Sequence, residues 1–295
     1  MLDLNDGIFG PVKKMATVEE ITEYFNECSK DYRRLWTNGK NLAMHYGYWD
    51  SGTLSLQDAI DNLNRLLSEK ACIGANDIIL DAGCGMGGSA IWLAEHIGTR
   101  VVGVNVCEKD ARNAAKAAKR RNVRHLVEIR HCDMRDTGLD ASSFGVVWAV
   151  KSIVHTNDKP RFFHEAHTLL KNGGKLIIAD GFLNKERSMF TENESRDLEA
   201  IERGWAITIT TPGEYLEGMR KAGFSHIEFD DITSNIKRTA RHIYIRGVLL
   251  HPLAFLLRVS RIRTRRSVDN CVACKAQYRL FTRGCWCYGI ISARK

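Results

Sequence analysis

Short apolar runs of strand length recur along this chain, separated by longer stretches in which apolar residues return every three to four positions. The runs are Ile78–Leu80, Val101–Val104, Leu126–His131, Phe144–Val150 and Lys175–Asp180. Apolar runs bounded by turn residues read as buried strands, and the longer periodic stretches as helices. The spacing predicts helices over Leu56–Ser68, Ala90–His96, Lys109–Arg121 and Asp158–Leu170. Strands alternating with helices in this way build right-handed βαβ units and a parallel sheet. Loops after the strands then gather at one edge, where open α/β sheets bind ligands.

The flanks are less regular. Residues Met1–Met15 carry little pattern and predict a loosely packed arm. Thr17 with Glu20 is a capping-box signature opening a helix that runs to Trp36, with Ile21, Tyr24, Phe25, Cys28, Tyr32 and Leu35 near one face. Further on, Glu186–Trp205 predicts a helical insertion, Gly213–Ala222 a helix opened by Thr211-Pro212, Ile227–Ile232 a strand, and Cys285–Ala293 a last alternating strand.

The stretch Asp77–Ser89 organises the rest. Its apolar run stops at Asp81 and passes into Gly83, Gly85, Gly87 and Gly88 before a helix begins. Glycines let the backbone approach a ligand without a Cβ in the way, and free N–H groups at a helix start favour a polar or anionic group. The turn is therefore a cofactor seat. Gly83, Gly85 and Gly88 also satisfy the dinucleotide fingerprint. Against a dinucleotide, Asp81 stands close before the first glycine, and Asn105 rather than an acid ends the second strand. A carboxylate at Asp81 suits a ligand bearing positive charge, such as a sulfonium or ammonium.

The string DAGCGMGGSA resembles the first motif of class I S-adenosylmethionine-dependent methyltransferases. MHYGYWD upstream and FGVVWAVKSIVH downstream resemble the small-molecule branch: tocopherol, sterol and prenyl diphosphate C-methyltransferases, cyclopropane synthases and glycine-type N-methyltransferases. The resemblance runs from about Tyr24 to the end and weakens after Phe229. It implies a Rossmann-like, seven-stranded, mostly parallel α/β sheet. The sixth strand would be antiparallel, and the seventh would be inserted antiparallel between the fifth and sixth. Residues 1–72 would form an N-terminal helical cap, 73–295 the methyltransferase domain, and 237–267 a basic lid insertion.

For the cofactor, S-adenosylmethionine, the resemblance implies contacts from Tyr32, Asp81, Gly83, Gly85, Asn105, Val106, Asp133 and Met134, with Asp133 accepting from the adenine amino group. Asp110 stands where relatives carry Gln, so its ribose contact departs from their pattern. The loop Lys151–His155 would face the transferred methyl. His155 is the candidate base, since an unperturbed histidine titrates near neutrality. Lys151 stands where the C-methylating families have Glu, and a charged lysine would repel the carbocation those enzymes form. Tyr24 on the leading helix would face the reaction. Tyr46 and Trp49 of the aromatic loop, and Arg263 and Arg265 of the basic segment, are candidate acceptor contacts.

Composition narrows this only a little. The chain has 295 residues, four prolines, no low-complexity segment and a formal charge of +8, which suits one large α/β domain with an acidic partner within reach. Lys237, Arg238, Arg241, Arg246, Arg258, Arg261, Arg263, Arg265 and Arg266 surround the apolar segment LLHPLAFLL with no acid among them. Arginine clusters recognise phosphate oxygens. The segment itself is too short to cross a bilayer. Interleaved aromatic stacking platforms for nucleic acid are missing. The odd set of nine cysteines reads as buried reduced thiols of a cytoplasmic enzyme rather than a disulfide framework or a zinc site.

The leading functional expectation is C-methylation of an isoprenoid alkene, a prenyl diphosphate or a terpenoid of specialised metabolism, with Mg2+ if the acceptor is a diphosphate. The alternative is O- or N-methylation of another specialised metabolite, for which Lys151 is the best sign. Peripheral membrane contact and homo-oligomer formation stay open.

Overall fold

A computed structural model describes residues 17–31, 42–156 and 158–295. In chain order the helices are α1 (Val18–Asp31), α2 (Leu56–Ala71), α3 (Gly88–His96), α4 (Glu108–Arg120), α5 (Lys159–Leu169), α6 (Glu192–Trp205), α7 (Pro212–Lys221), α8 (Thr233–Val259) and α9 (Arg265–Thr282). The strands are β1 (Ile78–Ala82), β2 (Arg100–Asn105), β3 (Val127–His131), β4 (Phe144–Val150), β5 (Leu170–Leu183), β6 (Ser225–Asp231) and β7 (Trp286–Arg294).

They form one seven-stranded sheet in the order β3-β2-β1-β4-β5-β7-β6. Neighbours are parallel from β3 to β5, and β7 pairs antiparallel with both β5 and β6. Only β7 is therefore reversed. The expectation of an antiparallel sixth strand is corrected: β6 runs with β5, because the α6–α7 connection carries the chain back before β6 begins, and α8–α9 then brings the last strand between them in the opposite direction. The chain steps outward from β1 to β2 and β3, then returns to β4 on the other side of β1. That reversal opens the crevice in which such sheets hold ligands.

Alternation along the strands sends side chains into two cores. Ile79, Trp148 and Ile177 pack with Leu63 and Leu67 of α2, Ile201 of α6 and Ala276 and Leu280 of α9. Leu80, Val147 and Ile178 pack on the other face with Phe162 and Phe163 of α5 and Tyr215 and Met219 of α7. Helix α2 thus helps fill the sheet's own core. Ser55 and Asp58 cap α2 reciprocally. The predicted insertion at 186–205 resolves into a 3-10 turn, Arg187–Met189, and α6 behind the Thr191–Glu194 capping box.

Helices α8 and α9 fill the whole β6–β7 connection. Gly247 lets them touch, since a Cβ there would stand 2.5 Å from the Cβ of Cys274. LLHPLAFLL is not a separate segment but the outer half of α8, with Pro252 inside the helix. Cys274 lies on α9, and Cys285 sits just ahead of β7 with its sulfur 3.0 Å from Glu194 Oε1. No cluster of three metal-binding side chains occurs among the described residues.

Candidate active site

The crevice beyond β1 and β4 is a deep cavity. At its floor β1 runs into the glycine turn, where Gly83 has φ +86° and a Cβ would lie 2.5 Å from that of Ser152. Gly88 opens α3, and a Cβ there would stand 2.1 Å from the backbone nitrogen of Ala43. The aromatic loop can cross the helix start only because that position is bare. Asn105 braces the turn from β2: its Nδ2 donates to Gly85 O at 2.9 Å, and its Oδ1 accepts from the Cys107 N–H at 2.9 Å.

Asp81 is buried in this floor, and its Oδ2 has no hydrogen-bond partner among the described residues. Burial pushes its carboxyl up to about 7, against the pull of the Ala90 N–H. Val106, Asp133 and Met134 continue the same wall. Asp133 is held by Arg135, whose Nη2 donates at 2.6 Å and Nε at 3.0 Å.

The opposite wall is apolar and aromatic. Ile21, Tyr24 and Phe25 of α1 face Trp205 at the end of α6 and Ile207 beyond it. Lys151, Ser152, His155 and Thr156 of the loop after β4 lie between them. The Nδ1 of His155 stands 3.1 Å from the Ala206 carbonyl oxygen. An oxygen opposite that nitrogen places the ring proton there, which leaves Nε2 as an acceptor. Burial, with the nearby Lys151 charge, drives the imidazole down to about 3, so it is neutral at physiological pH. Its ring lies 5.0 Å from Phe25 and 6.4 Å from Tyr24.

Lys151 follows β4 with φ +52°, a left-handed backbone uncommon for a residue with a side chain. Its N–H donates to Ala179 O at 2.8 Å, holding that conformation. The ammonium stands 5.0 Å from the Trp205 ring centre and 5.7 Å from that of Tyr46. Burial lowers its pKa, and the buried Asp180 behind it pulls the other way. Asp180 accepts the Val154 and Gly181 N–H groups, and burial raises it to about 7.

The structure thus brings Tyr24, Asp81, Gly83, Gly85, Asn105, Val106, Asp133, Met134, Lys151 and His155 to one cavity. Six other candidates are placed differently or lie outside the described residues. Tyr32 lies outside the described residues. Asp110 is buried in the first turn of α4 and does not line the cavity. Tyr46 is buried one layer behind, packed on Tyr288 at 4.9 Å with Lys151 between it and the space. Trp49 points away, its Nε1 donating to Thr239 on α8 at 2.8 Å and its face covered by Arg238. Arg263 and Arg265 sit where α8 turns into α9, outside the cavity, with Arg265 3.4 Å from Asp269. No residue of the basic segment 237–267 lines the cavity. Sequence reasoning missed Trp205, which stands 54 residues beyond Lys151 (205 minus 151) and brings no local motif with it.

Residues 80–178 match the family model described as a methyltransferase domain. The chain is 28% identical over 224 residues to the sarcosine/dimethylglycine N-methyltransferase of Halorhodospira halochloris, covering 75% of this chain and 77% of that protein. It is 26% identical over 234 residues to the (+)-O-methylkolavelool synthase of Herpetosiphon aurantiacus, covering 79% and 80%. Among solved structures, the [4+2]-cyclase SpnF superposes with a TM-score of 0.79 at 23% identity over 95% of this chain and 97% of that one. The geranyl diphosphate C-methyltransferase of Streptomyces coelicolor A3(2) does so with 0.73 at 22% identity over 97% and 99%. These two likenesses speak for the fold.

Proposed function

Starting from a chain that belongs to the class I S-adenosylmethionine-dependent methyltransferases, we propose that it transfers the methyl group to a hydroxyl oxygen of a small apolar acceptor bound between α1, Trp205 and His155. The cofactor fits the residues present. Asp81 offers a buried, unpartnered carboxylate oxygen, and the bare Gly83–Gly88 turn leaves room for close approach. Asp81, the glycine turn, Asn105, Val106, Asp133 and Met134 would hold it. When bound it supplies a methyl group on a sulfonium, already a good leaving group, so alignment of the acceptor does most of the remaining work.

The carrying observation is the chemistry of the acceptor wall. The carboxylates lining the cavity among the described residues are Asp81 and Asp133, both on the cofactor side. Around the acceptor stand a neutral imidazole with Nε2 open as an acceptor and the ammonium of Lys151. Nε2 can accept a hydroxyl hydrogen and so aim an oxygen lone pair into the cavity. As the oxygen gains its methyl it becomes far more acidic than an imidazolium, so even this weakly basic nitrogen can take the proton. Lys151 favours an electron-rich oxygen beside it and disfavours a cation. Tyr24, Phe25, Trp205 and Ile207 bind the apolar body by burial.

C-methylation of an isoprenoid alkene is the second reading. The ring faces of Tyr24, Phe25 and Trp205 favour it, since aromatic faces attract cations. It requires Lys151 to be uncharged, a direction in which burial pushes it. The deciding experiment gives the purified protein labelled S-adenosylmethionine with prenyl alcohols, their diphosphates with and without magnesium, and a secondary amine, and reads products by mass and NMR. A methyl ether supports the proposal. A carbon-methylated product overturns it in favour of the second reading, and an N-methyl product overturns both.

A further inference from the structure

We propose that the outer half of α8 and its turn into α9 form a docking surface for an anionic phospholipid membrane. Along this half the large apolar side chains face outward: Leu249 is 70% exposed, Leu256 62%, Val259 65% and Ile262 71%, with Leu253 and Phe255 also exposed. Leu249, Leu253 and Leu256 follow one another at helical spacing and make one stripe. Isolated exposed leucines are ordinary on a protein surface; a contiguous group of this kind marks an interaction site.

The surrounding charge chooses the partner. From Thr233 to Val268 the chain carries no aspartate or glutamate. Arg258 and Arg261 are exposed beside the stripe, and Arg263 follows within the same turn. Apolar side chains ringed by arginines suit the boundary between headgroups and acyl chains of a bilayer bearing negative lipids. A protein partner would need acids as well as an apolar face, and nothing on this side selects one.

By length and composition α8 could cross a bilayer, but its inner half is committed elsewhere. Ile236, Ala240 and Ile243 are buried in the sheet's core, and Thr239 bonds to the aromatic loop. The inner half also carries Lys237, Arg238, Arg241 and Arg246. The helix therefore lies against its own domain and offers only its outer end. That end adjoins α1: Arg266 pairs with Glu23 at 2.5 Å, and the Thr264 N–H donates to Glu27 at 3.2 Å. Helix α1 carries Ile21, Tyr24 and Phe25 into the cavity, so a bilayer docked here lies beside one wall of the site.

The test uses the full chain and no acceptor, which keeps it separate from the proposed reaction. Flotation is run with vesicles of phosphatidylcholine alone and of phosphatidylcholine mixed with phosphatidylglycerol, at low and high salt. The wild type should float with the mixed vesicles and be released by salt. Leu249→Glu with Leu256→Glu should weaken vesicle binding by roughly tenfold or more. Arg258→Glu with Arg261→Glu should abolish the preference for phosphatidylglycerol. Each variant is checked for unchanged circular dichroism and cofactor affinity, and Leu249→Gln with Leu256→Gln replaces the first pair if it fails that check. Absence of vesicle binding by the wild type overturns the proposal, as does binding that survives the leucine changes or ignores both salt and lipid charge. Self-association through this face, seen by light scattering and lost on Leu249→Glu without vesicle binding, overturns it in favour of a dimer.

Discussion

The ammonium of Lys151 lies 5.0 Å from the ring centre of Trp205, so a cation stands against one of the aromatic faces that line the cavity. A carbocation formed beside it would meet both Coulomb repulsion and a ring face already in use. Lys151→Met keeps the length of the side chain and removes the charge. Turnover of the hydroxyl acceptor should fall by about tenfold or more, equivalent to about 1.4 kcal/mol in the barrier. Cofactor affinity measured by calorimetry should be unchanged, because the proposed reaction sets Lys151 beside the acceptor. Unchanged turnover would leave Lys151 a structural residue, and new activity on a prenyl alkene would favour carbon methylation.

His155 gives a prediction that separates catalysis from packing. Replacing it with Ala should lower kcat by about a hundredfold or more, the usual range for loss of a positioned proton acceptor. The cofactor dissociation constant should stay where it is. Because burial holds the imidazole down to about 3, the wild-type kcat should show no limb from this group near the ordinary histidine value. A limb near 6.5 that disappears in the variant would mean that the ring is solvated and charged in the working enzyme.

How far the sequence reaches follows from how local each signal is. The glycine turn, Asp81 and the strands around them are written in consecutive residues, and apolar runs between glycines leave little choice of structure. The direction of β6 is not local: it follows from the α6–α7 crossover out of β5, and the place of β7 between them follows from an α8–α9 connection more than fifty residues long (from Thr233 to Thr282 with its flanks). Trp49 illustrates the same limit within the site. An aromatic residue in a loop has no periodicity to fix its direction, and a hydrogen bond to Thr239, 190 residues away, turns it from the cavity. The left-handed backbone of Lys151 is equally invisible, since lysine gives no hint of it as glycine would.

Gly88 should not tolerate a side chain. Ala at this position would place its Cβ 2.1 Å from the Ala43 nitrogen and 2.4 Å from the Ala43 Cα, both backbone atoms that cannot swing aside. The aromatic loop would have to lift from α3, exposing Met44 and His45, which line the cavity. Overpacking of this kind costs roughly 1–3 kcal/mol. Urea unfolding of Gly88→Ala should show that loss, and cofactor affinity should drop with it. A variant as stable as the wild type would mean that the loop does not sit over α3 in solution.

Thr239 makes a second, independent test of the same loop. Its buried hydroxyl accepts from Trp49 Nε1 at 2.8 Å and from the Gly47 N–H at 3.2 Å, and lies 3.3 Å from the Gly47 carbonyl. Thr239→Val keeps the shape but leaves the indole and backbone donors unpaired. Unpaired buried donors cost about 1–3 kcal/mol, which chemical denaturation can resolve. Serine in its place should restore most of the loss, because the hydroxyl returns. Equal loss in both variants would assign the effect to the methyl group and its packing.

Asp81 ties cofactor binding to pH. Its carboxyl, ordinarily near 3.8, is pushed up to about 7 by burial. A raised acid binds more protons folded than unfolded, so its contribution to the stability of the cofactor-free protein falls as pH rises from about 4 through 7. A sulfonium or ammonium is attracted by the ionised form, so cofactor affinity should move the opposite way and rise with pH. Calorimetry should find binding about tenfold weaker for each pH unit below 7, one unit being worth about 1.36 kcal/mol. The thermal shift produced by saturating cofactor should likewise be larger at alkaline than at acid pH. Asp81→Asn should bind weakly at every pH and lose the dependence. An Asn variant that keeps the wild-type slope would assign the titration to another group, with Asp180, also raised to about 7 behind Lys151, as the group to replace next.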